Sequence, residues 1–386
     1  MSFIQDPAYL IAFLFLLIVV SEWLATFKYL KHIGASLIII ILGAFFANLH
    51  FIPSSSNSLH LYDQIFIYGA PLGIFYLLLE VKLSNLKLAG LPMLMMFLLG
   101  AVATVIATLL SYYFMKPQQG ITLAPAIAGM FTATYIGGSA NLNAVALAYQ
   151  VNHQPTLYAA VNAVDNIITT VWILMTIFLP IILQKYFPRK RKIPKEFGNK
   201  SDEELRALMN ESKAEIKIMD ISILIVIGFG GLYLANAISS FIPQLPAIIT
   251  LTTLALVLAQ IPFIQKLQGG KVMGLILIML FLAVIGAFCD LEALRKSGAV
   301  AGILLKWDFL LIFLHGIILF GIGGLLKIDW DIIGVASNAN IGGSTSAPVC
   351  AASLGRKDLQ LPGLLVGALG NAIGTYFGFI MVNFLK

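Results

Sequence analysis

The stretch Ile136-Gly137-Gly138-Ser139 decides how this chain is built, because it returns as Ile341-Gly342-Gly343-Ser344. Both copies lie in apolar surroundings, and the correspondence continues without a gap at an offset of 205 residues. Further pairs at this offset are Gly129 with Gly334, Ala146 with Ala351, Val161 with Val366, Asn166 with Asn371, and Thr170 with Thr375. A repeated glycine pair that interrupts an apolar segment is typical of a transporter made of two related halves. The sequence therefore predicts an internal duplication with a helix break in each half.

The composition places the chain in a lipid bilayer. Hydrophobic residues make up 59% of its 386 residues, charged residues only 11%, and the mean hydropathy is +0.93. Apolar runs long enough to cross a bilayer core predict ten transmembrane helices. They are 8–27, 34–50, 64–80, 91–114, 158–184, 220–241, 246–262, 272–289, 307–326 and 361–384. The first residues lack the basic start of a signal peptide, so we expect the first run to be a retained helix.

The charged residues and the cysteines exclude several other classes of partner. The net charge is +6, but the basic residues lie in short loops, so we expect no nucleic-acid partner. Cys289 and Cys350 lie in or beside apolar segments without metal-ligand spacing, and we interpret both as buried thiols. The water-loving segment 185–219 contains the basic run Arg189–Lys192 and a charged helical pattern. It separates the first repeat, 1–184, from the second, 220–386.

The distribution of basic residues predicts the topology. The positive-inside rule places the connector 185–219 in the cytoplasm. With the N-terminus outside, this placement requires 121–150 to enter the membrane from outside and to return there. The same argument makes 329–354 a hairpin that enters from the cytoplasm, and it places the C-terminus outside. We therefore predict an all-α polytopic protein of the cell (inner or plasma) membrane. It has about ten transmembrane helices in two inverted five-helix repeats, each with a Gly-Gly re-entrant hairpin.

The two predicted hairpins carry the candidate substrate site. A re-entrant segment must be buried in protein or line a wet cavity, because lipid cannot satisfy its backbone groups. The glycine pairs allow a tight reversal, Ser139 and Ser344 are positioned to cap the returning helices, and the exposed amides there favour an anionic group. The alternative is that these small polar residues merely join helices at close range. The expected substrate-binding residues are Gly137, Gly138, Ser139, Asn141, Asn143, Gly342, Gly343, Ser344, Thr345 and Ser346.

Asp165 is the candidate for binding a coupling ion. A carboxylate well inside a span costs about 2.5–3.5 kcal/mol on insertion scales, so it indicates function. Its counterpart in the second repeat is Gly370. We expect Na⁺ or H⁺ here, with Na⁺ at Asp165 as the metal, whereas a structural, hydrogen-bonded aspartate is the alternative. The expected coupling-ion residues are Asp165, Asn166, Thr132, Thr134, Asn338, Asn340 and Asn371.

Other polar residues within the apolar segments have simpler interpretations. His315 is expected to be a hydrogen-bonded core histidine. Lys306 and Asp308 flank Trp307 as an anchor at the membrane interface would.

The strings TATYIGGSANLNAVA (132–146) and SNANIGGSTSAPVCAASLGR (337–356) resemble the YjcL-like family of uncharacterised membrane proteins. The architecture is also similar to that of the sodium–citrate and sodium–glutamate symporters, and more distantly to the bile-acid symporter and cation–proton antiporter group. This resemblance implies a coupled carrier, commonly a homodimer, in which the first two spans of each half form a scaffold. No arginine lies inside the hairpins, which argues against a citrate-like substrate.

The leading functional hypothesis is a secondary active symporter of a small organic solute (an anion, an amino acid or a short peptide), driven by Na⁺ or H⁺. The alternative is a cation–proton antiporter without an organic substrate. A passive channel also fits the sequence, although the duplicated hairpins favour alternating access. We expect no enzyme and no cofactor besides the coupling ion. The chain has neither an HExxH motif nor a P-loop, and Asp165 is the one aspartate that the pattern places deep in a span.

Overall fold

A computed structural model describes residues 6–27, 30, 35–54, 60–81, 83–189, 216–242, 245–288 and 298–386. These residues form fourteen α-helices and no β-strand. In the first half the helices are α1 (Pro7–Ala25), α2 (Ala35–Asn48), α3 (His60–Leu78), α4 (Leu91–Met115), α5 (Ala124–Gly137), α6 (Ser139–Ala148) and α7 (Pro155–Tyr186). In the second half they are α8 (Ile218–Phe241), α9 (Ala247–Leu258), α10 (Gly270–Phe288), α11 (Gly298–Leu325), α12 (Trp330–Ile341), α13 (Gly343–Ser353) and α14 (Gln360–Leu385).

The helices agree closely with the expected spans. Among the described residues, eight helices are long and apolar enough to cross a membrane, and α2 and α9 are shorter apolar helices. Their outward faces carry large apolar side chains, such as Val226 and Tyr233 on α8. A π-helical segment, Ile65–Gly69, lies within α3, and α11 begins nine residues before the expected span. The chain is therefore a multi-span membrane protein. Most of the connector 185–219 lies outside the described residues.

The first three helices of each half pack together, α1–α3 with α8–α10. Helix α10 lies against both α2 and α3, and glycines allow the close approach. A side chain at Gly43 would meet the backbone oxygen of Ala283 at 2.5 Å, and one at Gly274 would meet the backbone oxygen of Gly73 at 3.0 Å. The resemblance implied a scaffold of two spans per half. In this packing the third spans, α3 and α10, belong to the same group.

The remaining helices surround the two Gly-Gly stretches. Helix α5 packs most extensively on α14, and α12 packs on α7, so the first helix of each hairpin lies against the last helix of the other half. Glycines at equivalent positions make these contacts. A Cβ on Gly129 would lie 2.7 Å from the Gly378 carbonyl, and one on Gly334 would lie 2.8 Å from the Thr176 carbonyl. Equivalent glycines of the two Gly-Gly stretches therefore make backbone contacts of the same kind.

Candidate functional site

Each Gly-Gly pair breaks a helix, at positions that differ by one residue between the two copies. Helix α5 ends at Gly137 and α6 begins at Ser139, whereas α12 ends at Ile341 and α13 begins at Gly343. Gly138 and Gly343 both have a φ of +80°, in the left-handed region that glycine adopts without steric cost. The capping role expected for Ser139 and Ser344 is wrong. The N-cap positions are taken by Gly138 and Gly342, and no side chain caps either helix.

The first hairpin leaves and returns at one end of α7. Residues 120–122, which precede α5, and residues 154–157, at the start of α7, line the same surface cavity of about 370 Å³. Chain segments before and after the hairpin are therefore neighbours. The stretch 121–150 folds back on itself rather than running from one end of the bundle to the other.

The base of the second hairpin lies at the other end of α7. Arg356, just after α13, forms salt bridges with Asp329 (2.7 Å) and Asp331 (3.0 Å) at the start of α12. Trp330 donates a hydrogen bond from its indole Nε1 to the carbonyl of Phe187, directly after α7 (2.9 Å). Helix α7 has 32 residues, about 48 Å at 1.5 Å per residue. The two hairpins thus approach each other from opposite ends of a long helix.

The salt bridges of Arg356 link the two ends of the second hairpin. Its guanidinium is only 4% exposed and also pairs with Asp358 at 2.8 Å. Burial by itself lowers the pKa of Arg356, but the hydrogen bonds that Arg356 donates to Asp358 and Asp329 outweigh it and raise that pKa above its usual value. Arg356 is therefore a permanent positive charge that its neighbours already neutralise.

The tips of the two hairpins meet at one cavity of about 210 Å³ beside the middle of α7. Asp165 and Asn166 of α7 and Asn371 of α14 form its remaining polar wall. Ser139 and Thr345 are exposed, so the protein does not enclose the cavity on all sides. The expected site residues that line it are Thr134, Gly137, Gly138, Ser139, Asp165, Asn166, Gly342, Gly343, Ser344, Thr345 and Asn371.

Six expected site residues do not line this cavity. Their side chains form hydrogen bonds within the hairpins or to neighbouring helices instead. Asn141 donates to the Gly137 carbonyl (2.6 Å) and accepts from the Thr375 hydroxyl (2.5 Å), which fixes the first tip to α14. Ser346 donates to Asn338 (2.6 Å) across the second hairpin. The other contacts are Asn338 with Thr176, Asn143 with Tyr158, Thr132 with Thr108, and Asn340 with the Phe97 carbonyl.

Asp165 is the carboxylate of the cavity. Its side chain is 4% exposed, and its Oδ1 has no hydrogen-bond partner. Asp165 thus lines a polar cavity while one of its carboxylate oxygens is buried without a hydrogen-bond donor. This arrangement suits a small cation or a proton. The sequence reasoning missed Thr169, which lines the same wall one helical turn after Asp165; the spacing of four residues on a helix would have found it.

The repeat counterpart of Asp165 is Gly370, and the packing explains the difference. A Cβ on Gly370 would collide with the carbonyl of Ile136, and a Cβ on Gly137 would collide with the carbonyl of Gly370. Helices α5 and α14 touch backbone to backbone at this point. A side chain therefore has no room at position 370, and the carboxylate belongs to one half only.

Sequence reasoning also missed a second deep carboxylate. Trp307 and Asp308 were expected at the membrane interface, but both are completely buried. The expectation is wrong because the core offers partners: the Tyr135 hydroxyl donates to Asp308 Oδ2 (2.5 Å), and the Trp307 indole donates to Ser111 Oγ (3.1 Å). The hydrogen-bonded core histidine is confirmed, since His315 contacts Thr104 and Ser337, each at 3.0 Å. Asp308 lies seven residues before His315, on the same helix face, and this spacing was the available signal.

Comparison with known proteins gives a family but no activity. The chain is 26% identical over 376 residues to an uncharacterised membrane protein, YjcL, of Bacillus subtilis (strain 168), which covers 93% of this chain and 92% of that protein. The family model of a protein of unknown function, DUF819, matches residues 8–386. The resemblance to the YjcL-like membrane proteins is thereby confirmed, and the chain belongs to the DUF819 family.

Proposed function

We propose that this protein is a secondary active transporter that couples a small organic solute to Na⁺ or H⁺ by alternating access. The observation that carries the proposal is the convergence of both Gly-Gly breaks and Asp165 on one cavity. Discontinuous helices that meet at mid-depth place helix N-termini and free carbonyls around a substrate without exposing them to lipid. Nothing in this arrangement requires a covalent step, so the proposal is a carrier and not an enzyme, with no cofactor besides the coupling ion.

An inverted arrangement of the two halves is part of the proposal. The hairpin bases lie at opposite ends of α7, one beside residues 154–157 and the other beside Phe187. The contact of α5 with α14 has its counterpart in the contact of α12 with α7, as a two-fold relation between halves would produce. In the membrane the first hairpin would open to the outside and the second to the cytoplasm, with both termini outside and the connector in the cytoplasm.

Each part of the cavity has a chemical role in this proposal. The backbone amides at the starts of α6 and α13 lie at the hairpin tips. They favour a carboxylate or another anionic group of the solute. Asp165, with the side chains of Asn166 and Asn371, supplies oxygen ligands for the cation. A cavity of about 210 Å³ is smaller than the range of about 300–1,000 Å³ typical of drug-sized ligands. This volume favours a small carboxylate or an amino acid over a short peptide as the solute.

The same small volume favours a second candidate, a cation–proton antiporter without an organic substrate. In that case Asp165 alternates between a proton and Na⁺, and the hairpin residues only shape the cavity. The two candidates differ in whether any organic solute binds.

A thermal-shift screen of the purified protein against small carboxylates, amino acids and short peptides, with and without Na⁺, tests the proposal. A ligand raises the stability of the state that it binds by RT ln(1 + [L]/Kd). The symporter predicts a solute whose stabilisation grows when Na⁺ or H⁺ is raised, followed by gradient-driven uptake into proteoliposomes. Stabilisation by Na⁺ alone, with Na⁺-driven proton movement, selects the antiporter. Solute flux that never exceeds its own gradient contradicts both.

The proposed assembly is a homodimer in the bilayer. A mass measurement of the detergent-solubilised protein, with the detergent contribution subtracted, decides between one and two chains per particle.

A further inference from the structure

Another cavity lies between α2, α7 and α11 and shares no lining residue with the Gly-Gly cavity. Its volume is about 450 Å³, and each described residue that lines it is a leucine, isoleucine, valine, alanine or glycine. These residues lie within 37–44 of α2, 159–167 of α7 and 301–305 of α11. We call this cavity the apolar groove.

The apolar groove has a buried floor and an exposed rim. On the floor, Ile40 is 2% exposed and Val164 is 4% exposed. On the rim, Ile41 is 53% exposed, Ile167 is 51% exposed and Leu305 is 41% exposed. Helices α7 and α11 are both long and apolar enough to cross a membrane. The groove therefore opens sideways, towards the hydrocarbon core of the bilayer.

One end of the apolar groove is polar. Ala160 lines both the groove and the surface cavity at the base of the first hairpin, so the two spaces adjoin. That surface cavity carries the uncharged polar side chains Thr122, Gln154 and Thr156. From Thr156 to Ile167, α7 rises about 16 Å at 1.5 Å per residue. One leaflet of a hydrocarbon core of about 30 Å has nearly the same depth.

The shape and chemistry of the apolar groove select its occupant. Ordered water and polar solutes need polar partners, and the described lining residues offer no polar side chain. A helix of a second copy is about 10 Å across, so a segment as long as the groove occupies on the order of 1,300 Å³. The groove has about 450 Å³, too little for a helix to reach the floor. A hydrocarbon chain is thin and flexible, and it is the medium that surrounds the rim.

We propose that the apolar groove binds one acyl chain of a membrane phospholipid, whose glycerol and headgroup lie at the base of the first hairpin. The chain runs from Thr156 towards Ile167 within one leaflet, and the polar side chains at the mouth hydrogen-bond the ester and phosphate oxygens. The leaflet is the one in which α7 begins, which is the outer leaflet in the proposed topology.

This lipid lies between two groups of helices. Helix α2 packs mainly on α10 and only lightly on α7, whereas α7 and α11 belong to the helices around the Gly-Gly stretches. The acyl chain thus fills a space that direct helix contacts leave open. The stability of the protein then depends on lipid whatever solute or ion the protein carries.

Photo-crosslinking of the protein in phosphatidylethanolamine vesicles tests the site. A phosphatidylethanolamine with a diazirine near the end of one acyl chain should label the floor residue Val164, and one with the diazirine in its headgroup should label 120–122 and 154–156. Val226, which is 70% exposed on α8, reports the ordinary lipid around the protein. Tail labelling of Val226 without labelling of Val164 would overturn the proposal.

Two glycines of α11 provide a matched pair of variants. A Cβ meets nothing within 4 Å at either Gly302 or Gly321, but Gly302 lines the apolar groove and Gly321 does not. Gly302→Leu should lose the labelling of Val164 and keep that of Val226, whereas Gly321→Leu should keep both. Unchanged labelling of Val164 in Gly302→Leu contradicts a chain in the groove. If Gly302→Leu does not fold, Ala163→Leu fills the same space from α7.

Thermal unfolding of the delipidated protein in detergent gives a second measurement. Added phosphatidylethanolamine should raise the melting temperature of the wild type and of Gly321→Leu, but not that of Gly302→Leu. Both leucine variants gain the same helix propensity, so only the groove distinguishes them. Equal responses of the three proteins overturn the proposal. A change in the number of chains per particle in Gly302→Leu alone, with no lipid response in the wild type, assigns the groove to a second copy instead.

Discussion

Gly138 and Gly343 have the same φ of +80° and line the same cavity, although 205 residues separate them in the chain. Gly138 lies between two half-helices and Gly343 is the first residue of α13, so a glycine with positive φ marks the break in each half of the molecule. Substitutions at these turns and at their neighbours separate effects on transport from effects on packing.

Valine at either turn should abolish transport while leaving the protein in the membrane. The left-handed backbone costs an L-residue about 1–2 kcal/mol, and a β-branched side chain is more restricted still. A Cβ meets nothing within 4 Å at Gly343 and only the Asn371 side chain at 3.7 Å at Gly138. The defect in Gly138→Val and Gly343→Val should therefore be in the turn geometry. The measurement is uptake against expression level, with Gly321→Ala, whose Cβ meets nothing, as the control; normal uptake by both valine variants would mean that the turns are not at the working site.

Alanine at Gly137 should destabilise the fold more than alanine at Gly321. The added methyl at Gly137 collides with the Gly370 carbonyl, whereas that at Gly321 meets nothing within 4 Å. Overpacking of this kind costs about 1–3 kcal/mol. Thermal unfolding in detergent measures the difference. Gly129→Ala belongs with Gly137→Ala rather than with the mild controls, because its methyl meets the backbone of α14. Equal melting temperatures for Gly137→Ala and Gly321→Ala would contradict the contact.

Asp165→Asn should abolish ion-driven accumulation and the Na⁺-dependent part of thermal stabilisation. The substitution keeps the size of the side chain but removes the charge that attracts the cation. Asp165→Glu keeps the charge with a longer reach and should retain weak, ion-sensitive activity. If Asp165 is only a structural hydrogen-bonding group, the order reverses and asparagine is tolerated better than glutamate. Wild-type accumulation by Asp165→Asn, with unchanged Na⁺ and pH dependence, would contradict this role of Asp165. The ion would then be assigned to the hairpin carbonyls with Asn166 and Asn371.

Single cysteines at Gln118 and His153 should both react with an impermeant thiol reagent from outside the cell. Both side chains are exposed and flank the first hairpin. A cysteine at Lys185, exposed at the other end of α7, should react only after the membrane is opened. The background lacks Cys289 and Cys350. Labelling of Gln118 and His153 from opposite sides would show that 121–150 crosses the membrane. That result would contradict the proposed inverted arrangement of the two halves.

Arg356→Ala should lower the stability of the protein by about 3–5 kcal/mol, since it leaves buried Asp329 and Asp331 without their partner. The loss should depend little on salt, because buried pairs are poorly screened. Asp358→Asn, at the more exposed partner, is the matched milder change. Denaturant unfolding at low and high salt measures both. A smaller loss for Arg356→Ala than for Asp358→Asn would show that the pairs with Asp329 and Asp331 do not hold the base of the hairpin.

The sequence predicted the helices and the hairpins well, because apolar length and a repeated Gly-Gly break are local signals. It also found Asp165, whose charge is conspicuous in an apolar span. It did not separate cavity-lining residues from bracing ones, since Asn141 and Ser139 are equally polar and only packing turns the first towards the Thr375 hydroxyl. The position of Asp308 was predicted wrongly for the opposite reason. The nearby Lys306 suggested the membrane interface, whereas the hydrogen-bond partner of Asp308, Tyr135, lies 173 residues away in the sequence. Long-range pairing of this kind leaves no local trace.

The backbone contact between Gly137 and Gly370 has a consequence for the energy balance of the proposed transporter. Two identical, inverted halves would give outward-open and inward-open forms of equal free energy when such a carrier is empty. A carboxylate at position 165, with no room for one at position 370, makes the two halves unequal. On this proposal the two empty forms would differ in free energy, and the cation would shift their populations through its different affinity for each. A close glycine contact would thereby give the proposed carrier a preferred resting side.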